Sequence, residues 1–452
     1  MANSYLSISG STPTNSKKFT YSFWVKRTTL GADQAILSYE TNSANRGGIE
    51  LQTGDQFRYF ERVSNSTTVF VEPSRVFRDP SAWYHIVVAT DTTQSTEADR
   101  VKIYVNGVQE TDFATTPTYP ALNSDTRANG STVKNIGRRN VNDDYYFDGA
   151  LSHVSFVDGS ALAPTVFGGT DSTSGIWKFK QPSGVTWGNN GFHLKFENSA
   201  SLGLDSSGNT NNFTVNGNLV QSVDTPSNVF CTMNPIVSNR SGFTFSNNNT
   251  TVNTPSSSGS AANMGLNQGK WYFECLINTL GNFYGGWQDL DNQASNTNSY
   301  MVDGCVATNN GPNIYYGTSS SGSKAMNGMS QGDYIGFAID VPNLKCWWSR
   351  NGQWYTANSG TASTLTRAQV SANTSGFDLT TGSEMNSSST IAPYMGTSTA
   401  ATNNSFNFGT GIFGTTKLTG TTYADDNGVG IFKYEPPAGF RAICTKNINT
   451  YG

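Results

Sequence analysis

The chain has 452 residues, of which 28 are Lys or Arg and 32 are Asp or Glu, so its formal net charge is −4. A chain of this length forms about two to four domains that each bury a hydrophobic core, which excludes the small folds that depend on disulfides or metals. The basic residues form no stripe along the sequence, so binding to nucleic acid through its phosphates is not expected.

The composition favours short strands and tight turns over helices. Only 13% of the residues are charged and 12% are aromatic, and the chain contains 46 Gly and 15 Pro. Aromatic residues favour strands, and Gly and Pro favour turns. Residues 1–10 lack the features of a signal peptide, and no stretch approaches the roughly 18 apolar residues that cross a bilayer. We therefore expect no membrane insertion.

The first half of the chain contains several segments with the alternation of a half-buried strand. In residues 19–26, the side chains that share one face are Phe19, Tyr21, Phe23 and Val25. Residues 83–89 are apolar on both faces, which is typical of a central strand. Residues 101–105 alternate before an Asn-Gly turn, and residues 147–157 supply a further strand pair. This pattern predicts a sandwich of antiparallel strands.

The second half repeats this pattern. In the strand at 271–277, the residues on one face are Trp271, Phe273, Cys275 and Ile277. Residues 335–341 alternate, and residues 346–354 read as strand, Asn-Gly turn and strand. The Ser/Asn/Thr-rich stretch 246–263 is predicted to be a long loop or a hairpin outside the core. Because both faces of each sheet need cover, two sandwiches are the simplest architecture.

The cysteines predict free thiols. The chain has five, at Cys231, Cys275, Cys305, Cys346 and Cys444, and none of them is in CxxC spacing. Free Cys commonly behaves as a small buried hydrophobe, so we expect buried thiols. One disulfide, such as Cys275 with Cys346, is the alternative.

The first part of the chain resembles laminin-G-like, concanavalin-type jelly-roll domains. The residues that carry the resemblance are FTYSFWVKR at 19–27, WYHIVV at 83–88, VKIYVNG at 101–107 and FDGALSHV at 147–154. Residues 231 to about 415 are similar to SPRY domains, which are also concanavalin-like sandwiches. The matching motifs are GKWYFE at 269–274, GDYIGFAID at 332–340, WWSRNG at 347–352 and FNFG at 406–409.

The remaining segments resemble parts of tailed-phage virion proteins that couple these two domain types. The connector motifs lie at 191–197, 204–209, 212–217 and 224–228, and the closing motif lies at 434–447. The resemblance implies a surface-exposed structural protein, such as a tail fibre or appendage, that binds a host-surface glycan or receptor without catalysis. No heptad repeat is present, so an elongated coiled-coil shaft is not expected.

These observations predict an all-β protein with two concanavalin-like antiparallel β-sandwich (jelly-roll) domains. The predicted boundaries are 1–170 for the laminin-G-like domain, 171–230 for a β-rich connector, 231–415 for the SPRY-like domain and 416–452 for a C-terminal extension. The resemblance implies other virion proteins and a host glycan or receptor as partners, and a homo-oligomer with a trimer favoured. It places the protein on the virion exterior, at the tail or capsid, after assembly in the host cytoplasm. A capsid decoration or head-fibre adaptor protein is one alternative, and a glycan-degrading enzyme is another.

Catalytic and metal-binding patterns give little support to an enzyme. Glycoside hydrolases need two carboxylates across the sugar, and the chain has no Glu-x-Asp-x-x-Glu run. The acidic clusters are Asp143-Asp144 with Asp148, and Asp289 with Asp291, all in turn-like contexts. We expect solvated turn acids there and no cofactor, with Ca²⁺ binding at Asp143, Asp144 and Asp148 as the alternative. The three histidines, His85, His153 and His193, are predicted to be sheet residues and not metal ligands.

Loop aromatics beside polar residues are the candidates for ligand binding. Aromatic rings stack on sugars with little loss of entropy, while neighbouring acids and amides bind hydroxyl groups. The candidate ligand-binding residues are Asp143, Tyr145, Tyr146, Tyr315, Tyr316, Trp354 and Tyr355. For each of them, packing in the core or on a sheet surface is the alternative.

Overall fold

The computed structural model describes residues 3–238, 243–254, 258–291, 305–316, 319–356, 362–380, 385–398 and 400–452. The chain divides into two compact units, Met1–Gln221 (unit 1) and Ser222–Gly452 (unit 2). Both units are built from antiparallel sheets, so the predicted all-β class is confirmed. Among the described residues, no helix is long and apolar enough to cross a membrane.

Unit 1 consists of two main sheets and one additional hairpin. Its strands are β1 (Tyr5–Ser9), β2 (Lys18–Arg27), β3 (Gln34–Asn42), β4 (Asn45–Leu51), β5 (Phe57–Val63), β6 (Ser66–Val71), β7 (Tyr84–Asp91), β8 (Val101–Val105), β9 (Val108–Gln109), β10 (Val133–Ile136), β11 (Gly149–Asp158), β12 (Gly168–Thr170), β13 (Trp177–Phe179), β14 (Phe192–Leu194) and β15 (Thr214–Asn216), with 3₁₀ turns at Glu97–Asp99 and Pro164–Val166. One sheet has the order β15-β1-β10-β3-β4-β5-β6, the other has the order β14-β11-β2-β7-β8-β9, and β12 pairs with β13.

The core of unit 1 lies between its two main sheets. The alternating residues of β2, Phe19, Tyr21, Phe23 and Val25, all belong to this core, together with Leu37, Tyr39, Ile49 and Tyr59 from the opposite sheet. The alternation in the sequence therefore identified the correct inner face of β2. It did not show that the outer face of the same strand would also be buried.

The outer face of the β2 sheet is covered by the segment that follows β11. Trp24 and His85 are 3% and 0% exposed, and their rings stack at 4.8 Å. Trp177 of β13 lies over His85, and its Nε1 donates a hydrogen bond to His85 Nδ1 at 2.9 Å. Further along, β14 pairs with β11 and β15 pairs with β1. Residues of the connector thus complete both sheets of unit 1.

Unit 2 has the same general plan with more strands. Its elements are β16 (Met233–Ser238), β17 (Thr244–Ser246), β18 (Thr251–Thr254), β19 (Ser258–Ala262), β20 (Lys270–Thr279), β21 (Phe283–Asp289), β22 (Cys305–Asn309), β23 (Asn313–Tyr316), β24 (Ser319–Lys324), β25 (Tyr334–Asp340), β26 (Lys345–Arg350), β27 (Gln353–Thr356), β28 (Ser363–Leu365), α1 (Arg367–Ser371), β29 (Phe377–Asp378), β30 (Ile391–Thr397), β31 (Thr402–Asn407), β32 (Ile412–Phe413), β33 (Thr416–Lys417), β34 (Tyr423–Ala424), β35 (Ile431–Phe432), β36 (Arg441–Ala442) and α2 (Thr445–Tyr451).

Two large sheets enclose the core of unit 2. Their orders are β16-β19-β30-β21-β22-β23-β24 and β17-β18-β31-β20-β25-β26-β27-β28, with β29 beside β26 and β36 parallel to β20. The predicted inner residues of β20, Trp271, Phe273, Cys275 and Ile277, are all in the core. The outer residues Tyr272 and Glu274 are also fully buried, because the C-terminal extension covers them with Phe432 and Phe440.

The Ser/Asn/Thr-rich stretch forms more of the sandwich than its composition indicates. Where it is described, it contributes β18 and β19 to the two sheets, and Val252 is fully buried in the core. Its hydroxyl groups pair across strands, because Thr254 Oγ1 lies 2.8 Å from Thr402 Oγ1. Neutral polar side chains that find such partners can be buried at little cost.

All five cysteines are buried free thiols, as predicted. Cys275 lies on β20 and Cys346 on β26, and β25 runs between these two strands. Two strand spacings amount to roughly 9.6 Å, which is beyond the reach of a disulfide. The alternative of a Cys275–Cys346 bridge is therefore wrong.

Asp205 of the connector allows a test of how much this segment stabilises unit 1. Asp205 is 8% exposed, and its carboxylate accepts hydrogen bonds from the backbone N–H groups of His193, Ser207 and Asn211 at 2.8, 2.8 and 2.9 Å. Asp205→Ala leaves these donors without their acceptor, so we expect a loss of about 2 to 3 kcal/mol in the free energy of unfolding, measured with urea.

A matched control for this prediction is Asp171→Ala. Asp171 accepts hydrogen bonds from Thr173, Ser174 and Lys178 within its own surface turn. We expect this variant to lose less than about 1 kcal/mol. A loss in Asp205→Ala as small as the one expected for Asp171→Ala would contradict the view that the connector is part of the unit 1 sandwich.

Candidate functional site

The β10–β11 loop, residues 137–148, contains the predicted cluster of Asp and Tyr residues. Backbone hydrogen bonds fix it to the sandwich, since Ala35 N–H donates to the Tyr145 carbonyl at 2.8 Å and Val141 N–H donates to Glu40 Oε2 at 2.7 Å. Asp143 and Tyr145 have φ values of 54° and 52°, in the left-handed region. Such backbone persists only where the surroundings hold it, so the loop has a defined shape.

Two arginines at the start of the loop pair with two aspartates five positions later. Arg138 forms an ion pair with Asp143. Arg139 donates two hydrogen bonds to the Asp144 carboxylate, at 2.7 and 2.6 Å. The Arg139 guanidinium also lies 3.7 Å from the centre of the Tyr145 ring. These four charges are therefore balanced in two pairs within the loop.

Tyr146, Arg138 and Asp143 of this loop lie beside Tyr5 of β1. We call these four residues the Tyr146 cluster. The Tyr146 hydroxyl donates to Asp143 Oδ1 at 2.6 Å, and the Tyr146 and Tyr5 ring centres are 6.4 Å apart. The Arg138 guanidinium lies 3.5 Å from the centre of the Tyr5 ring. The Asp143 side chain is 63% exposed. Two aromatic rings and an accessible carboxylate thus lie together, around an Arg138 side chain that is only 14% exposed.

Asp143 remains ionised at neutral pH. The hydrogen bond from Tyr146 and the ion pair with Arg138 lower the pKa of the Asp143 carboxyl below its usual value. An ionised carboxylate accepts hydrogen bonds on both oxygens, which suits the hydroxyl groups of a sugar.

The carboxylates of Asp143, Asp144 and Asp148, the predicted alternative for Ca²⁺ binding, are engaged by neighbouring side chains. Asp148 accepts a hydrogen bond from Thr29 Oγ1 at 2.6 Å, and burial raises its pKa. The other two carboxylates are paired with arginines. In the part of the chain that the structure describes, no three His, Cys, Asp or Glu side chains are grouped so that they could hold a metal ion.

The structure places the other predicted ligand-binding residues mainly in packing contacts. Trp354 is 3% exposed and its ring lies 5.9 Å from Tyr272. Tyr315 packs edge-on against Tyr284 at 5.5 Å. Tyr316 and Tyr355 are half-buried against the core of unit 2. These four residues belong to unit 2, whereas the Tyr146 cluster belongs to unit 1.

His85 has a hydrogen-bonding arrangement that resembles a catalytic dyad but cannot work as one. Its Nε2 lies 2.9 Å from Ser22 Oγ. Because Nδ1 accepts the Trp177 N–H, the proton of the neutral ring is on Nε2, so the ring donates to Ser22 and cannot remove its proton. Burial also lowers the pKa of His85 to about 3. Ser22 and His85 therefore serve to pack the sheet.

His153 and His193 are neighbours, although they are 40 positions apart in the sequence. Pairing of β14 with β11 brings their ring centres to 5.6 Å. Phe179 stacks on His153 at 3.5 Å, and Trp187 stacks on His193 at 5.7 Å. Burial lowers the pKa of each histidine to about 4. Both are sheet residues, as predicted, but they are not isolated from each other.

Arg138 and Tyr5, two members of the Tyr146 cluster, are not among the residues predicted from the sequence to bind a ligand. The pattern of two arginines followed five positions later by two aspartates was a signal for Arg138, because opposite charges at a turn can pair. Tyr5 had no such signal. It reaches the loop because β1 pairs with β10, a contact between residues about 130 positions apart.

The first part of the chain matches a known family model. Residues 1–166 match the family model described as the concanavalin A-like lectin/glucanases superfamily. This range ends shortly after β11 and includes the whole β10–β11 loop. The match supports the laminin-G-like, concanavalin-type fold of that segment. No curated protein matched the sequence.

Several solved structures are similar at low identity. A putative carbohydrate binding protein from Bacteroides ovatus is 18% identical, with a TM-score of 0.31, 50% of this chain covered and 60% of that chain. The SPRY domain of human HERC1 is 10% identical, with a TM-score of 0.28 and coverages of 38% and 96%. A heptameric SAP-like pentraxin from Limulus polyphemus is 14% identical, with a TM-score of 0.27 and coverages of 36% and 72%. These values do not establish a ligand for this chain.

The histidine pair gives a prediction about pH. The unfolded chain takes up a proton on His193 near pH 6.5, whereas the folded chain does so near pH 4, so the stability that neutral His193 supplies is lost as the pH falls between these values. Going from about pH 7 to about pH 4.5 should therefore cost the wild type about 2 kcal/mol more than His193→Phe. Urea unfolding at the two pH values measures this difference. The same pH dependence in both proteins would contradict it.

Proposed function

We propose that this protein is a non-catalytic glycan-binding protein, and the Tyr146 cluster is the observation that carries this proposal. The cluster offers ring area and an exposed, ionised Asp143 carboxylate, and the Arg138 guanidinium contacts both the Tyr5 ring and this carboxylate. Sugars present both apolar C–H faces and hydroxyl groups, so they need a flat ring beside hydrogen-bonding groups of both kinds.

The rigidity of the loop supports binding. The hydrogen bonds to Ala35 and Glu40 and the Arg139–Asp144 ion pair hold the loop before any ligand arrives. Binding to a preformed surface avoids the entropy cost of ordering a loop. A single shallow site of this size gives weak affinity, and several identical sites on a homo-oligomer would strengthen attachment by avidity.

We further propose that the protein is a structural component of a tailed-phage particle. The support is the sequence resemblance, which covers the laminin-G-like part, the connector, the SPRY-like part and the closing motif at 434–447. In this proposal the chain is a tail fibre or appendage, assembles as a homo-oligomer with a trimer favoured, contacts other virion proteins and binds a host-surface glycan or receptor. Its location is the exterior of the virion.

Glycan binding is testable on an array of bacterial surface glycans with the full chain. We expect Tyr146→Ala to reduce the signal about tenfold or more, because it removes a stacking ring worth about 1.5 kcal/mol. Tyr146→Phe keeps the ring and loses only the hydrogen bond to Asp143, so it should retain intermediate binding.

The control is Glu97→Ala, which changes a highly exposed acid in a 3₁₀ turn of unit 1 and should leave binding unchanged. Full binding by Tyr146→Ala would contradict the proposed site. Release of oligosaccharides from host envelope polysaccharide by the purified chain would contradict the non-catalytic part of the proposal and favour a glycan-degrading enzyme.

The proposed position of the protein on the particle is tested separately. Gold-labelled antibodies against the chain should decorate the tail region of the phage that encodes it, as seen by electron microscopy. Label on the capsid alone would contradict the tail proposal and favour a decoration or adaptor protein. Particles without label would contradict a virion role.

A further inference from the structure

Unit 2 contains an open groove of 480 Å³ beside the turn between β26 and β27. Its floor is apolar, since Trp354 and Leu365 are only 3% and 7% exposed. The volume falls in the range of about 300 to 1,000 Å³ that is usual for small-ligand sites. Trp354 is therefore a buried residue in the floor of this groove and not an exposed loop aromatic.

Two tyrosines of the C-terminal extension line the groove. Tyr423 of β34 is 36% exposed. Tyr434 is half-buried and packs against Gly352, where an added Cβ would lie 2.5 Å from the Tyr434 Cδ1 atom. Gly352 has a φ of +82°, in the left-handed region that favours glycine. A side chain at Gly352 would displace the Tyr434 ring.

Glu274 fixes the position of Tyr434. The backbone N–H groups of Lys433 and Tyr434 donate to the two oxygens of the Glu274 carboxylate at 2.9 and 2.8 Å. Glu274 itself is fully buried in the sheet. The wall of the groove is thus attached to the core of unit 2 by two hydrogen bonds to a buried carboxyl group.

The rim of the groove is polar but carries no net charge. Arg367 and Glu435 form an ion pair across it, and their side chains are 38% and 50% exposed. Gln353 and Thr364 are exposed neutral residues of the rim. Because the two charges balance each other, neither an anionic nor a cationic ligand is favoured.

We infer that this groove binds a short neutral oligosaccharide and is a second glycan site, separate from the Tyr146 cluster. Stacking area from Tyr423 and Tyr434, an apolar floor and neutral hydrogen-bonding groups match the two kinds of surface that a sugar presents. The inference rests on the proposed glycan-binding function and assigns part of it to unit 2.

The experiment measures binding of maltotriose, cellotriose, mannotriose and chitotriose, each at about 5 mM, by saturation-transfer NMR. The protein is the full chain carrying Tyr146→Ala, so that the first site is removed. We expect at least one trisaccharide to bind this variant. Adding Tyr423→Ala should weaken that binding about tenfold or more, and Tyr423→Phe should retain most of it. The bound sugar should also slow nitration of Tyr423 by tetranitromethane, followed by peptide mass spectrometry.

The matched control is Tyr451→Ala, because Tyr451 is 38% exposed in the same unit and does not line the groove. It should bind as well as its parent. Two results would contradict the proposed groove site and leave the proposed function standing. One is trisaccharide binding that survives Tyr423→Ala, and the other is wild-type binding that Tyr146→Ala alone abolishes. Absence of binding in every form, together with an empty glycan array, would overturn both. Loss of binding in a Tyr423→Ala variant whose thermal unfolding is unchanged would support the groove.

Discussion

The structure of unit 2 depends on the burial of the Glu274 carboxylate on the outer face of its central strand. A buried carboxylate without partners would cost several kcal/mol, and four donors prevent this. They are the Tyr272 hydroxyl, the Asn407 amide and the backbone N–H groups of Lys433 and Tyr434. Burial still raises the pKa of Glu274 to about 7. The C-terminal extension is therefore bound to the sandwich through Glu274, because this buried carboxyl group needs the backbone donors that the extension supplies.

Unit 1 uses a comparable arrangement with different chemistry. Its sheet is covered by Trp177, which donates to the buried His85 ring. Each unit also places an aromatic ring of the covering segment against the glycine of an Asn-Gly turn, with Trp177 near Gly107 and Tyr434 near Gly352. Both glycines have a φ of +82°. Because glycine has no side chain, the turn can accept a ring that packs directly on its backbone.

The covering segments limit where the proposed glycans could bind. They close the outer faces of two sheets, so ligand-binding surface is left at loops and at the margins of the covers. The Tyr146 cluster lies at the β10–β11 loop, which the ion pair between Arg139 and Asp144 helps to hold, and the groove of unit 2 lies at the margin of the C-terminal extension. In both places a buried or paired charge sets the position of a tyrosine. Rigid placement of aromatic rings is what weak, repeated binding to sugars requires.

The sequence by itself determined the strands, the Asn-Gly turns and the inner faces, because alternation with a period of two is a local property. Phe19 and Trp271 lie in the cores as their positions predicted. The sequence also identified Asp143 and Tyr146 as neighbours, since three positions separate them. Only the tertiary structure decided that Tyr5 joins them and that Trp354 lies beneath a groove. These facts depend on strand pairing and on covering segments that are distant along the chain, and no local pattern records which segment covers a face.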